Sequence, residues 1–187
     1  MNLKELEKIN AFATKNASNA LAKITGSPSA IKVAIGNVEM FQPFMDDEEI
    51  KVATLVPFAQ ALEGASMLVL NTEDALILSR LFLRKKPSPD KELSEMEISA
   101  FNEIGNIVTG SYTTILSNML GRQILTRVPI FSSGVFDTLI SQFRKLVKPV
   151  SKKMVVIDTT FSIKQLTIRG KLFVILKLTD IEEDLKN

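Results

Sequence analysis

Ser99, Glu103 and Asn106 are the residues of this 187-residue chain best placed to do chemistry together. They follow one another at intervals of four and three. At 100° per residue that spacing puts them within about 60° of one another on a helix, in a stripe about 10 Å long. A carboxamide can accept one hydrogen bond while donating another, but an arbitrary Glu/Asn pair on an exposed helix face is in most cases merely solvated, and the spacing alone does not assign it a role. Gly110 lies one turn further along the same stripe. A glycine inside a helix costs roughly 1 kcal/mol relative to alanine, and its expected use here is to leave room for another surface to approach Asn106. Phe101, Ile104, Val108, Ile115 and Met119 fall on the opposite side, which is expected to face the core.

The composition narrows the chemistry. The chain has no Cys and no His, which excludes disulfides, thiol catalysis, thiolate metal sites and imidazole bases. Reaction chemistry is left to carboxylates, amides, hydroxyls, Lys and Arg, with a hard cation such as magnesium as the natural metal if one takes part. No metal site and no bound cofactor are expected on this chain. With 23 basic and 21 acidic residues it lacks the concentrated basic face that nucleic acid requires. The opening Met1–Asn10 is charged and amphipathic, unlike a signal peptide, and no apolar run reaches membrane-spanning length. A cytoplasmic protein without membrane insertion is expected.

Residues 3–25 predict a helix from the recurrence of Leu6, Ile9, Ala13, Ala17, Ala20 and Ile24, stopped by Gly26, Ser27 and Pro28. Strands are expected where Ile31, Val33 and Ile35 alternate and over 50–57 and 65–70, with a turn at Glu63-Gly64 before the last. Asn71 or Thr72 can cap a short helix to about Leu83. The polar, proline-bearing stretch 84–91 reads as a linker. Ser94 with Glu97 then forms a capping box that opens a long helix to about Leu120, ended by Gly121. Strand signals return at Ile124–Ile130, Met154–Ile163 and Leu166–Leu178, with a short helix around Val135–Leu146. The order helix–strand–strand–strand–helix thus occurs before the linker and recurs imperfectly after it. Glu7-Lys-Ile-Asn10 matches Glu103-Ile-Gly-Asn106, and Gly26 and Gly121 end the two helices at nearly the same offset. The second copy lacks most of its final helix. We expect a single α/β domain of the α+β type over 1–187, with halves of about 1–86 and 92–187. Their shared, largely antiparallel sheet is pseudo-twofold, with the two long helices packed on it.

The segment from Ser99 through Asn106 to Ser111 resembles the signature helix of the CheC–CheX–FliY phosphatases. That family's pattern is Asp or Ser, three residues, Glu, two residues, Asn, twenty-two residues, Pro, and this chain has Ser99, Glu103, Asn106 and Pro129 at that spacing. The resemblance extends to the duplicated layout. It implies a CheC-like fold and a phosphatase acting on a CheY-type response regulator that carries an aspartyl phosphate in chemotaxis signalling. Asn106 would position a water in line with phosphorus, Glu103 would face the active-site Lys of the receiver, and the receiver would hold the Mg2+. CheC proteins also resemble one another in binding the deamidase CheD, and the short C-terminus puts that surface in doubt.

The first copy departs from the pattern. Leu3 stands where Asp or Ser is required, the twenty-two-residue interval from Asn10 ends on Val33, and Ala13-Thr14-Lys15 replaces the glycine context. Glu7 and Asn10 are therefore expected to form a degenerate, structural second site whose loss leaves most activity. Asn10 lies near the edge of its helix's apolar arc, where partial burial is expected. The alternative to an enzyme is a non-catalytic binding or adaptor module, since flagellar switch components resemble this fold without the Glu/Asn pair. Gly105–Ser111 imitates a phosphate loop but lacks its Lys and lies mid-helix. Asp46–Glu49 lacks the spacing of a calcium loop, and Asn16-Ala17-Ser18 is a glycosylation triplet within a helix.

Overall fold

The computed structural model describes residues 3–27, 30–36, 49–60, 63–146, 154–163 and 168–177. Asp46–Glu48 and the chain after Lys177, with its expected truncated helix, lie outside the described residues. The elements are α1 (Leu3–Thr25), β1 (Ala30–Gly36), β2 (Lys51–Gln60), β3 (Gly64–Asn71), α2 (Thr72–Phe82), α3 (Glu95–Leu120), β4 (Ile124–Thr126), β5 (Ile130–Gly134), α4 (Phe136–Leu146), β6 (Met154–Ile163) and β7 (Ile168–Lys177).

All strand pairs are antiparallel, in the order β1-β6-β7-β3-β2, with β4 and β5 both pairing with the far edge of β2. Exchanging β1, β2 and β3 for β5, β6 and β7 leaves this order unchanged. At its centre β3 lies against β7, Met67 opposite Phe173 and Leu68 opposite Leu172. Both faces there are covered, and β3 accordingly reads as an almost unbroken apolar run. Leu68, Leu70, Leu172 and Val174 join the core beneath α1, α2 and α3. Met67, Val69, Phe173 and Ile175 point the other way, against Phe136, Leu139, Ile140 and Phe143 of α4.

Several helix ends follow from local chemistry. Ser94 caps α3 through the expected box: its hydroxyl accepts from the Glu97 amide while the Glu97 carboxylate accepts from the Ser94 amide at 2.9 Å. Gly121 ends the helix in the left-handed region at φ 63°. Asn71 occupies the N-cap position of α2 but makes no capping bond, because its Oδ1 accepts from Lys51 Nζ across the β2–β3 pair at 3.1 Å.

Two expectations need correction. The single strand at Ile124–Ile130 is two short strands, separated where Arg127 donates its amide to the Pro57 carbonyl at 2.8 Å. Pro129 has no N–H to continue the ladder, and pairing with β2 resumes at Ile130. Met119 is 49% exposed instead of buried; in the last turn of α3 it is Leu120 that packs against the core containing Phe101, Ile104 and Val108.

Candidate functional site

The roll of α3 about its own axis decides which of its side chains meet solvent, and four contacts help set it. Gly105 lies so close to β2 that an added Cβ would stand 2.0 Å from Thr54 Cγ2. Beside it, the Thr54 hydroxyl donates to Asn102 Oδ1 at 2.9 Å, and the hydroxyls of Ser66 and Thr109 bond to each other. On the α1 side, the fully buried Tyr112 hydroxyl donates to Asn10 Oδ1 at 2.8 Å. With the helix held this way, Ser99 and Glu103 are exposed and Asn106 and Gly110 half-buried. Neither Glu103 nor Asn106 has a hydrogen bond or ion pair to another described residue.

The glycines at 105 and 110 have opposite reasons. Among the described residues nothing lies within 4 Å of a Cβ built on Gly110, so their packing does not require the glycine, and the stripe has an open place one turn beyond Asn106. Gly105→Ala is expected to destabilise the fold by about 1–3 kcal/mol through overpacking against Thr54, whereas Gly110→Ala should stabilise it by about 0.5–1 kcal/mol through helix propensity. Urea unfolding of the two variants checks the opposite signs.

The first-copy residues have another fate. Glu7 lies in α1, with its side chain outside the described residues. Asn10 is 1% exposed, and burial goes further than its place at the edge of the apolar arc led us to expect. It accepts from Tyr112 and from Thr14 Oγ1 at 3.4 Å, and so ties α1 to α3. Burial pushes the Tyr112 phenol far above its ordinary range, and it serves as a neutral donor. Tyr112→Phe removes the closer donor to a buried amide oxygen and is expected to cost about 1–2 kcal/mol without touching the stripe. Thermal unfolding measures the loss.

Pro129 sits off the helix in the interruption between β4 and β5. Two residues on, the Phe131 ring packs edge-on against Phe101 of α3, with centroids 6.4 Å apart at 82°. The proline thus lies in the short connection that leads into the strand supporting Phe101 of α3.

Sequence reasoning missed the anchor at the start of the helix. Arg80, 8% exposed at the end of α2, pairs with Glu97 at 2.6 Å, donates to the Ser88 carbonyl at 2.8 Å and lies 3.7 Å from Asp90. Burial drives the Glu97 carboxyl up, but the Ser94 hydroxyl and amide and the Arg80 guanidinium outweigh it and bring it down to about 2. The capping box identified Glu97, but no local signal identified its cation. Among the described residues no cluster of three metal-ligating side chains occurs, and no helix is long and apolar enough to cross a membrane.

Residues 96–133 match the model of the CheC-like family, a span that holds Ser99, Glu103, Asn106, Gly110 and Pro129. The chain is 23% identical over 161 residues to the CheY-P phosphatase CheC of Bacillus subtilis, covering 83% of this chain and 77% of that one. The FliY structure from Thermotoga maritima superposes with a TM-score of 0.72 at 23% identity, covering 100% of this chain and 96% of FliY. The chain also resembles the CheX–CheY–BeF3–Mg2+ complex from Borrelia burgdorferi, with a TM-score of 0.61 at 18% identity over 89% of this chain and 96% of that one.

Proposed function

From a chain with a CheC-like signature segment on a CheC-like fold, we propose that the protein is a phosphatase of a CheY-type receiver, with Glu103 and Asn106 as the catalytic pair. The observation that carries this reading is the contrast between the two copies. The Glu-x-x-Asn spacing occurs twice, and Asn10 is consumed by Tyr112 inside the core while Asn106, half-buried, has no hydrogen-bond partner among the described residues. Bacillus subtilis CheC, by its name a CheY-P phosphatase, supports the substrate class, as does the CheX complex with CheY.

In this reading the α3 stripe docks over the phosphorylated aspartate. Oδ1 of Asn106 accepts from the attacking water and Nδ2 donates to a phosphoryl oxygen. The water oxygen forms its bond to phosphorus as the bond from phosphorus to the aspartate oxygen breaks, which leaves inorganic phosphate and a free carboxylate. Glu103 pairs with the receiver's active-site Lys and holds the two surfaces in register. The Mg2+ belongs to the receiver. The transition state of phosphoryl transfer is loose and leaves little covalent work for the enzyme, so placing the water and steadying charge supply most of the acceleration. A stripe without His or Cys suffices for that.

Decay of aspartyl phosphate on a CheY-type receiver tests the proposal. Wild-type protein should shorten the lifetime of the phosphoreceiver, and Asn106→Ala should not. Binding without acceleration would instead favour the adaptor reading. CheD binding is a separate proposal, tested by pulldown of CheD with the intact chain.

A further inference from the structure

Alongside the stripe runs a groove of about 480 Å³, formed where the second half of α1, the tail of α2 and the middle of α3 meet. Ile107 and Ser111, each next in sequence to a stripe residue, form its near wall, and Asn16, Leu81 and Phe82 are among the other lining residues. Asn16 Nδ2 donates to the Ser111 carbonyl at 2.7 Å, which ties the two helices together there. The charged residues of the lining are Lys23 and Arg84, both exposed and both basic. Neither has an acidic partner among the described residues.

Arg84 carries a second, independent signal. It follows the last turn of α2 at φ 55°, in the left-handed region. Its amide bonds to the Leu81 carbonyl at 3.1 Å and the Lys85 amide to the Arg80 carbonyl at 2.9 Å. This is the Schellman ending, in which glycine fits without the Cβ strain that arginine bears. An arginine held at a glycine position, with its guanidinium on the rim of a groove beside the stripe, keeps a side chain at a cost to the backbone.

We infer that this groove is the second half of the docking surface, and that Lys23 and Arg84 bind the acidic face of the phosphorylated receiver next to its phosphate. The inference rests on the phosphatase reading for its partner. A receiver that presents an aspartyl phosphate and the carboxylates of a Mg2+ site offers the opposite charge to the rim. Lys23 and Arg84 are positioning residues: they act on association and register, and the chemistry stays with Asn106. Rim charges of this kind govern encounter and its salt dependence more than the bond-breaking step.

The test uses the intact chain with a receiver held in its phosphorylated form by beryllofluoride and Mg2+, binding measured by calorimetry, in parallel with decay of the true aspartyl phosphate. Lys23→Glu combined with Arg84→Glu should weaken binding about tenfold and flatten its dependence on salt. The same variant should raise KM and leave kcat within about twofold. Arg84→Gly should also weaken binding while raising Tm by about 2–4 °C, because it removes the strained conformation. A merely structural arginine would not lose binding while gaining stability. Charge-reversed protein that binds as tightly as wild type overturns the groove, even if decay is accelerated and the phosphatase reading stands. Weakened binding without any accelerated decay by wild type leaves the groove in place and overturns the phosphatase reading. A wild-type chain that binds no receiver overturns the groove outright.

Discussion

Asn106→Ala is expected to slow dephosphorylation of the receiver about a hundredfold, roughly 2.7 kcal/mol of transition-state stabilisation, by analogy with the loss of one well-placed donor. The loss should fall on kcat, with KM changed by no more than about twofold, since the carboxamide acts on a water that becomes a nucleophile only in the transition state. The fold should not suffer. Asn106 is half-buried, has no partner among the described residues, and alanine is the better helix former. Asn106→Asp separates position from chemistry. It preserves the shape of the side chain but replaces the N–H donor with a negative oxygen facing a phosphoryl group, and should be at least as inactive as alanine. Single-turnover decay of labelled phosphoreceiver reads both variants; an aspartate variant with wild-type rate would remove the donor from the mechanism.

The second large effect is on stability. Arg80→Ala is expected to cost about 3–5 kcal/mol, because it leaves Glu97 as a buried carboxylate without its cation. That is a large share of the 5–15 kcal/mol by which a domain is ordinarily stable. The loss is not confined to one contact. The same guanidinium spans the end of α2, the Ser88 carbonyl in the linker and the first turn of α3, so removing it should loosen the linker and the Ser99 end of the stripe together. The pH dependence follows from the same group. The Glu97 carboxyl lies at about 2 in the folded chain against an ordinary 4.5, so protons bind the unfolded chain more readily. The stability this contributes is complete above about pH 4.5 and disappears as pH falls towards 2. In Arg80→Ala the folded-state value must rise, because a favourable positive charge has gone, and acid unfolding should begin at higher pH. Urea titrations of both proteins between pH 7 and 2.5 check the size and the direction. An Arg80→Ala protein as stable as wild type would mean that Ser94 alone satisfies Glu97.

Much of this protein was legible because its signals are local. The ends of α3 follow from Ser94, Glu97 and Gly121, which act within one turn of their own positions. The exposed stripe follows from helical periodicity, since Phe101, Ile104 and Val108 must turn inward and thereby turn Ser99 and Glu103 outward. The helix over 3–25 has the same origin.

Tertiary structure decided what depends on a partner distant in sequence. Asn10 and Asn106 share their local spacing, and only the approach of Tyr112, more than a hundred residues from Asn10, buries one and leaves the other free. Gly105 and Gly110 are equally costly to an isolated helix, but Thr54 makes the first a packing requirement, while among the described residues nothing fills the space beside the second. The cation of Glu97 is seventeen residues away, across a linker, at a distance no helical spacing specifies. Sequence by itself determined which side chains could share a helix face, because that depends on rise and twist alone. Which of those side chains remained available to another molecule was decided by the packing of α3 against β2 and α1, because burial is a property of the neighbours and not of the helix that carries the residue.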